Sequence, residues 1–405
     1  MNILLIGMWG LYNRGCEAII WGSVKIIKEI FPNASIAIAI GNPENSRIDR
    51  LRLPNLDVEI YPLVACIQKK ASLLLRIIRR IIYKITGNVF LYRYRRPIGY
   101  PEKDWDLILE VGGDTYADNP VLKFNYDKWL IKKKGYKVGL WGMNLGPYDQ
   151  KIISIRKQKE AFSRYEVITV RDKFSKNYLN SIGIKKNLYL MADPAFEMDA
   201  QEWDTKPFFP KRRNRGIIGI NLNPSAVQSS MRSKEEIIEL LQSTSKDLNK
   251  NGFGVLLVPH CFPPACPFDD DDTLILKPAF EYLKKEGLNI GMLPNEINSP
   301  QVKFAISQCD LFTGIRMHST IAAWSSNIPV LSISYSQKSL NYNSEIYGHQ
   351  KYVLNIASLT SKIFIETLLK MANNLEMIKK ETIKGVDKLR KRTKNMISEI
   401  KKYTS

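Results

Sequence analysis

The chain has 405 residues, which is enough for two domains of ordinary size. Its 44% apolar and 25% charged residues exclude a disordered or low-complexity protein and are typical of a soluble globular one. The formal net charge of +20 at pH 7 favours an anionic partner, such as nucleic acid, an acidic substrate or an anionic membrane surface.

The compartment is predicted from signals that the chain lacks. No run approaches the roughly 18 apolar residues needed to cross a bilayer. The opening Met-Asn-Ile-Leu-Leu-Ile-Gly has no basic leader and no small-residue cleavage site, so it is typical of a first strand. The five cysteines are odd in number and scattered, which indicates reduced thiols. We therefore expect a cytoplasmic protein.

The first half of the chain alternates short apolar runs with helical patterns. A helix is predicted at 17–31. Strands are predicted at 2–6, 35–40, 107–111, 138–141, 167–170 and 188–191. Alternation of this kind favours a parallel sheet with helices on both of its faces.

A strongly basic segment interrupts this alternation at about 65–100. From Lys69 to Arg96 it contains no Asp or Glu, and its apolar residues follow helical spacing beside a stripe of Arg76, Arg80 and Lys84. Such a helix suits the plane of an anionic bilayer, which would make the protein peripheral on the inner face of the cell membrane. The alternative is a core helix with a basic outer face. Nucleic acid is not expected, because no recognised binding motif accompanies the charge.

The second half repeats the alternation after a proline-rich and charged stretch at 204–216, which we interpret as an interdomain linker. Strands are predicted at 216–222, 254–258, 290–293, 311–313 and 330–334, and helices at 233–248, 273–285, 301–308 and 319–325. The simplest architecture is α/β, with two Rossmann-like doubly wound domains facing a cleft. We place a first lobe at 1–205, a second lobe at 206–378 and a basic C-terminal helix at 379–405.

The best indication of chemistry is the pair Arg316 and His318, which follows a predicted strand where a helix begins. Ligands of doubly wound sheets lie beyond the carboxyl ends of the strands, and a helix N-terminus there favours anions. Arginine offers a planar fork for carboxylate or phosphate, and histidine titrates near neutral pH. The chain has only three histidines, so this placement favours a reactive role.

Two other polar clusters are interpreted as non-catalytic. His260, Cys261 and Cys266 lie close together, but their spacing fits no common zinc motif, and we expect no metal. The run from Asp269 to Asp272 is expected to be solvated and to open a helix, with metal binding as the alternative.

Several blocks in chain order resemble the polysaccharide pyruvyl transferase family. They begin with the glycine-rich Gly7-Met-Trp-Gly10-Leu-Tyr-Asn13-Arg-Gly15-Cys-Glu17 and end with the stretch that carries Gly314-x-Arg316-x-His318. The blocks between them are Val111-Gly-Gly-Asp114, Gly142-Met-Asn-Leu-Gly-Pro147, Val170-Arg171-Asp172 and Asp193-Pro194.

The resemblance implies a GT-B-like fold and an enzyme that transfers pyruvate from phosphoenolpyruvate to a sugar. The product would be a pyruvate ketal on a cell-envelope polysaccharide, such as a capsule or exopolysaccharide, or on its lipid-linked precursor. Phosphoenolpyruvate would be a co-substrate, and neither a cofactor nor a metal is demanded.

This chemistry assigns expected roles to the matched residues. His318 would be the general acid, and Arg316, Lys338 and Arg171 would bind the charges of the donor. The residues expected to line the cleft on the acceptor side are Gly10, Asn13, Glu17 and Asp114. Six of them have a structural alternative: a helix cap for His318 and Glu17, a domain bridge for Arg316, a turn for Asp114, a tight turn for Gly10, and a pair with Asp172 at a helix start for Arg171.

Two other functions remain open at this point. A GT-B nucleotide-sugar glycosyltransferase is the alternative enzyme, since heptosyltransferases carry a comparable His-x-x-Ala-Ala segment before a Pro-Val strand. A non-enzymatic membrane-bound assembly protein with a degenerate lobe is the other alternative. The acceptor sugar and the oligomeric state cannot be predicted.

Overall fold

The computed structural model describes residues 1–8, 10–40, 52–62, 104–116, 120–262, 271–335 and 337–404. At positions 129, 133, 337, 338, 403 and 404 it describes the backbone alone. The predicted basic insertion at about 65–100 lies outside these ranges, so its interpretation as a membrane-binding helix stays a prediction.

The chain forms two compact units, and each combines separate stretches of sequence. The first unit contains Met1–Leu11, Ser23–Pro194 and Arg392–Ser405, and the second contains Tyr12–Gly22 and Ala195–Lys391. The stretch 204–216, interpreted above as a linker, lies wholly within the second unit. The linear division at 205/206 therefore does not describe how the residues group in space.

The first unit is built on a parallel sheet of seven strands among the described residues. Its strands are β1 (Asn2–Met8), β2 (Ser35–Ile40), β3 (Glu59–Pro62), β4 (Leu107–Glu110), β5 (Val138–Met143), β6 (Ile168–Val170) and β7 (Leu188–Leu190). They lie in the order β3-β2-β1-β4-β5-β6-β7. Helices of this half of the chain are α1 (Arg14–Ile30), α2 (Pro120–Lys134), α3 (Ile155–Phe162) and α4 (Lys173–Ser181).

The second unit repeats the design with a parallel sheet of six described strands. They are β8 (Ile217–Asn221), β9 (Gly254–Leu257), β10 (Ile290–Met292), β11 (Leu311–Gly314), β12 (Val330–Ser334) and β13 (Val353–Asn355), in the order β10-β9-β8-β11-β12-β13. The helices are α5 (Ser225–Ser230), α6 (Lys234–Lys250), α7 (Thr273–Lys285), α8 (Ser299–Ser307), α9 (Met317–Ser325), α10 (Gln337–Tyr347), α11 (Ser361–Ala372) and α12 (Leu375–Thr404).

The sequence explains these sheets through strands that are apolar on both faces. In β1 the consecutive residues Ile3, Leu4 and Leu5 have no exposed surface. The same is true of the consecutive residues Leu256 and Leu257 of β9. A parallel strand covered by helices on both sides needs this continuous apolar pattern and not an alternating one. The predicted class, two parallel-sheet α/β domains, is confirmed.

The strands that the sequence analysis missed are β3 and β13, which lie at the edges of their sheets. They have only four and three residues, and their sequences, Glu-Ile-Tyr-Pro and Val-Leu-Asn, include polar or proline residues. An edge strand pairs on one side only and tolerates proline, so it carries a weak apolar signal.

Strand order reverses once in each sheet. The chain runs outward in one direction from β1 to β3 and then returns to β4 on the other side of β1, and β8 and β11 repeat the arrangement. Such switch points leave a crevice at the carboxyl ends of the two neighbouring strands, where ligands bind in open α/β sheets. Arg316 and His318 come just after the end of β11, at the β8/β11 switch point.

Candidate functional site

Arg316 is held in a fixed position at the switch point of the second unit. Its Nε and Nη2 atoms donate to one carboxylate oxygen of Asp272 at 2.9 and 2.6 Å, and its backbone N–H donates to Asn221 at 3.1 Å. The side chain of Arg316 is 12% exposed, while that of Asp272 is fully buried. The guanidinium is therefore oriented by a carboxylate that solvent does not reach.

Asp272 corrects the expectation of a solvated acidic run. It does precede a helix, because it is the N-cap residue of α7, but it is completely buried. Its other oxygen accepts hydrogen bonds from the Asn221 amide at 2.9 Å and from the backbone N–H of His260 at 2.8 Å. Burial raises the pKa of Asp272, and the Arg316 guanidinium and these donors oppose the rise. Asp272 thus joins the ends of β8, β9 and β11.

His318 lies in the first turn of α9 against the start of α1. A Cβ atom placed on Gly15 would lie 2.4 Å from His318 Nδ1 and 2.6 Å from its Cγ, so only glycine leaves room for this ring. Both residues belong to the second unit. Gly15, from the end of the glycine-rich opening, and the Arg-x-His block are far apart in sequence but meet at one place within the second unit.

The start of α1 is fixed by the loops that follow β9 and β10. Arg14 is fully buried, and its guanidinium donates to the backbone carbonyls of Pro259, Pro294 (2.8 Å) and Ile297 (3.2 Å). Asn13 caps the helix by accepting from the Gly15 N–H at 2.8 Å. A buried cation next to Gly15 contributes positive potential close to His318.

Glu17 also has a defined structural contact. The side chain is fully buried and accepts a hydrogen bond at 2.7 Å from the backbone N–H of Ser299, the first residue of α8. A carboxylate at a helix N-terminus is stabilised by the helix dipole. Glu17 therefore caps α8, and its role toward an acceptor stays a prediction.

Arg171, expected to bind the donor, lies in the first unit inside an ion network. It is 1% exposed and donates to Asp193 at 2.5 Å, to Asp114 at 3.2 Å and to Asn144. Asp193 is fully buried and Asp114 is 42% exposed. The structural alternative holds in part: Asp172 caps α4 by accepting from Ser175 N–H at 2.8 Å, but Arg171 pairs with other carboxylates.

The switch point of the first unit carries a buried acid that sequence reasoning missed. Glu110 is the last residue of β4, is fully buried and forms an ion pair with Lys123. Burial raises the pKa of Glu110 to about 7; the charge of Lys123 opposes this rise and the charge of Asp127 adds to it. Asp127 in turn accepts hydrogen bonds from Tyr116 and, at 2.6 Å, from Tyr165. No motif indicated this network, because a single acidic residue at the end of an apolar strand forms no pattern from which its burial or its partners could be predicted.

For the remaining predicted site residues the structure gives their position in the fold but no side-chain contacts that define a role. Gly10 is buried in the first unit. Lys338 lies in α10, but its side chain is outside the described part of the chain. Among the described residues no group of three or more His, Cys, Asp or Glu could hold a metal ion, and Cys266 lies outside them. No helix of the described part of the chain is long and apolar enough to cross a membrane.

Solved structures share the fold across nearly the whole chain. A UDP-GlcNAc 2-epimerase from Neisseria meningitidis bound to UDP-GlcNAc is 14% identical with a TM-score of 0.59, covering 99% of this chain and 100% of that one. MnaA from S. aureus with UDP is 10% identical (TM-score 0.58; 100% and 96% covered), and a UDP-glucose:anthocyanidin 3-O-glucosyltransferase with UDP is 10% identical (TM-score 0.57; 99% and 98% covered). At these identities the likeness shows the fold alone, and it confirms the GT-B-like prediction.

Sequence comparison identifies the family. No curated protein sequence matches the chain significantly. The family model for polysaccharide pyruvyl transferase matches residues 13–337, which begin at the cap of α1 and end just after β12. That range contains the Asp272-anchored Arg316, His318 and the glycine that His318 packs against. This chain belongs to the polysaccharide pyruvyl transferase family.

Proposed function

We propose that the chain transfers pyruvate from phosphoenolpyruvate to two hydroxyl groups of a sugar, forming a ketal. The observation that carries this is the β8/β11 switch point, where Arg316 is fixed by buried Asp272 beside His318 at the N-terminus of α9. Phosphoenolpyruvate carries a carboxylate and a phosphate, and this place concentrates positive charge from Arg316, the helix dipole and Arg14.

Arg316 is proposed to bind the donor because its direction is set before the ligand arrives. Asp272 accepts from Nε and Nη2, which orients the plane of the guanidinium. An arginine whose side chain is already ordered loses little conformational entropy when it binds an anion. Since Asp272 is buried and Arg316 is 12% exposed, the ion pair presents its cationic partner to the ligand.

His318 is proposed as the general acid. In the reaction a proton adds to the methylene carbon of the donor, which becomes a methyl group, and positive charge develops on the neighbouring carbon. That carbon forms bonds to two sugar oxygens, while its bond to the phosphate oxygen breaks and inorganic phosphate leaves. Of the two protons lost by the hydroxyl groups, one replaces the proton delivered to carbon and one ends on phosphate. Acid catalysis of this kind typically supplies about 100- to 10,000-fold in rate.

The acceptor is proposed to be a sugar of a cell-surface polysaccharide or of its lipid-linked precursor. The net charge of +20 supports work beside an anionic membrane surface on the cytoplasmic side. Mass spectrometry of surface glycans from cells with and without the gene tests this: a pyruvate ketal should be lost with the gene. Identical glycan masses would contradict it.

Donor binding is tested with the purified protein. Phosphoenolpyruvate at 100 times its dissociation constant should stabilise the fold by about 2.7 kcal/mol, visible as a raised melting temperature. Arg316→Ala should abolish this shift. His318→Ala should keep it but lose product formation, and His349→Ala, which changes a histidine held between Tyr347 and Tyr352, is the matched control. Donor labelled with ¹⁸O at the bridging oxygen should release labelled phosphate.

The alternative enzyme, a nucleotide-sugar glycosyltransferase, gives the opposite pattern in the same assay. A raised melting temperature with sugar nucleotides and none with phosphoenolpyruvate would overturn the proposal.

A further inference from the structure

Among the described residues of the second unit, His260 has a side chain whose two nitrogen atoms are both buried and make no hydrogen bond. It follows β9, the neighbour of β8, and is 2% exposed. Its backbone is held on both sides: the N–H donates to Asp272 at 2.8 Å, and the carbonyl accepts from the Arg14 N–H at 3.0 Å. His260 is thus connected directly to the residue that orients Arg316 and to the residue before Gly15.

The side chain of His260 has no such partners. Neither Nδ1 nor Nε2 makes a hydrogen bond with any described residue, although both atoms are buried. A neutral imidazole has one N–H donor and one acceptor nitrogen, and a buried polar atom left unpaired costs about 1–3 kcal/mol. Buried polar groups of folded proteins nearly always have a hydrogen-bond partner, and a bound molecule can supply it.

The surroundings keep this ring neutral. Burial, then the charges of Arg14, His318 and Arg316, lower the pKa of His260 well below its ordinary value. These charged groups are those of Arg14, at the start of α1, and of Arg316 and His318, at the start of α9. A neutral ring among them retains one N–H that can be donated to an anion without adding a further charge.

We propose that His260 is a second histidine of the donor site, whose ring N–H donates to an anionic oxygen of bound phosphoenolpyruvate. This inference rests on the proposed function and deepens it: the three strand ends β9, β8 and β11 each contribute to one anion site, through His260, through Asn221 with Asp272, and through Arg316 with His318. His318 remains the acid, and His260 binds.

The test uses His260→Phe, which fills a similar volume and removes both nitrogens. Because the unpaired polar atoms disappear, the ligand-free variant should melt at the same temperature as the wild type or higher. Its dissociation constant for phosphoenolpyruvate should rise about 10- to 100-fold, the range of a hydrogen bond to a charged group. His260→Gln, which keeps an N–H donor, should recover part of the affinity and also serves if the Phe variant does not fold. His349→Phe is the matched control.

Inorganic phosphate is the second probe. If both ligands weaken equally, the ring contacts the phosphate group; if phosphoenolpyruvate alone weakens, the ring contacts the carboxylate. Wild-type affinity for phosphoenolpyruvate in both folded His260 variants would overturn the inference and leave the proposed function standing. Absence of phosphoenolpyruvate binding by the wild type would instead overturn the proposed function and this role of His260 with it.

Discussion

Gly15→Ala is a small change at a helix start that should damage the site without unfolding the protein. The new Cβ atom would lie 2.4 Å from His318 Nδ1 and 2.9 Å from His318 Cβ, whereas ordinary van der Waals contacts begin at 3.4 Å. The imidazole must therefore move by about 1 Å. A displacement of that size in a catalytic group can cost about 100-fold in rate.

Stability should change little or even increase. Gly15 belongs to α1, and replacing glycine by alanine within a helix stabilises it by up to about 1 kcal/mol when there is space. In the wild-type background this gain opposes the clash with His318. In a His318→Ala background the contacts with the imidazole ring are removed and only the 2.9 Å approach to the Cβ of residue 318 remains, so more of the gain should appear.

The assay is a double-mutant cycle on two quantities. Phosphate release from phosphoenolpyruvate in the presence of acceptor should fall about 100-fold in Gly15→Ala, and chemical denaturation should show that the alanine is more favourable in the His318→Ala background. Wild-type turnover by Gly15→Ala, or the same stability change in both backgrounds, would refute the contact between α1 and His318.

Two further predictions concern buried charges of the first unit. Burial raises the pKa of Glu110 from 4.5 to about 7, so between these values the folded state binds its proton more tightly than the unfolded chain does. Stability of the wild type should therefore fall by about 3 kcal/mol as pH rises through this window, and Glu110→Gln should flatten that part of the melting-temperature profile; an unchanged profile would argue against a buried ionising group. Arg171→Met removes the guanidinium that is paired with fully buried Asp193 and should cost about 3–5 kcal/mol in urea denaturation. Arg164→Met, the control, removes an ion pair with exposed Glu160 and should change stability much less. Unchanged stability in Arg171→Met would contradict the role of Arg171 in neutralising Asp193.

Local patterns predicted the class of fold and every described strand except β3 and β13. The apolar runs at Ile3–Leu5 and at Gly254–Leu257 require burial on both faces, and this requirement alone indicates parallel sheets covered by helices. Arg316 and His318 could also be found locally, because a strand end followed by a helix start marks the functional edge of such a sheet.

The partners of those residues could not be predicted in the same way. Asp272 lies 44 positions before Arg316 and within an acidic run that, taken alone, indicates solvent. The ion network of Arg171 reaches Asp114, 57 positions earlier, and Asp193, 22 positions later. A charged residue is predicted to be exposed unless its ion-pair partner is known. That partner is set by the tertiary structure and not by the local sequence.

Two helices change units partway along their length: α1 between Gly22 and Ser23, and α12 between Lys391 and Arg392. A fragment of residues 195–391 would therefore lack Arg14 and Gly15, the neighbours of His260 and His318. During translation the first unit cannot be completed until the stretch from Arg392 onwards leaves the ribosome. Neither unit is therefore a single continuous stretch of sequence that one deletion could isolate.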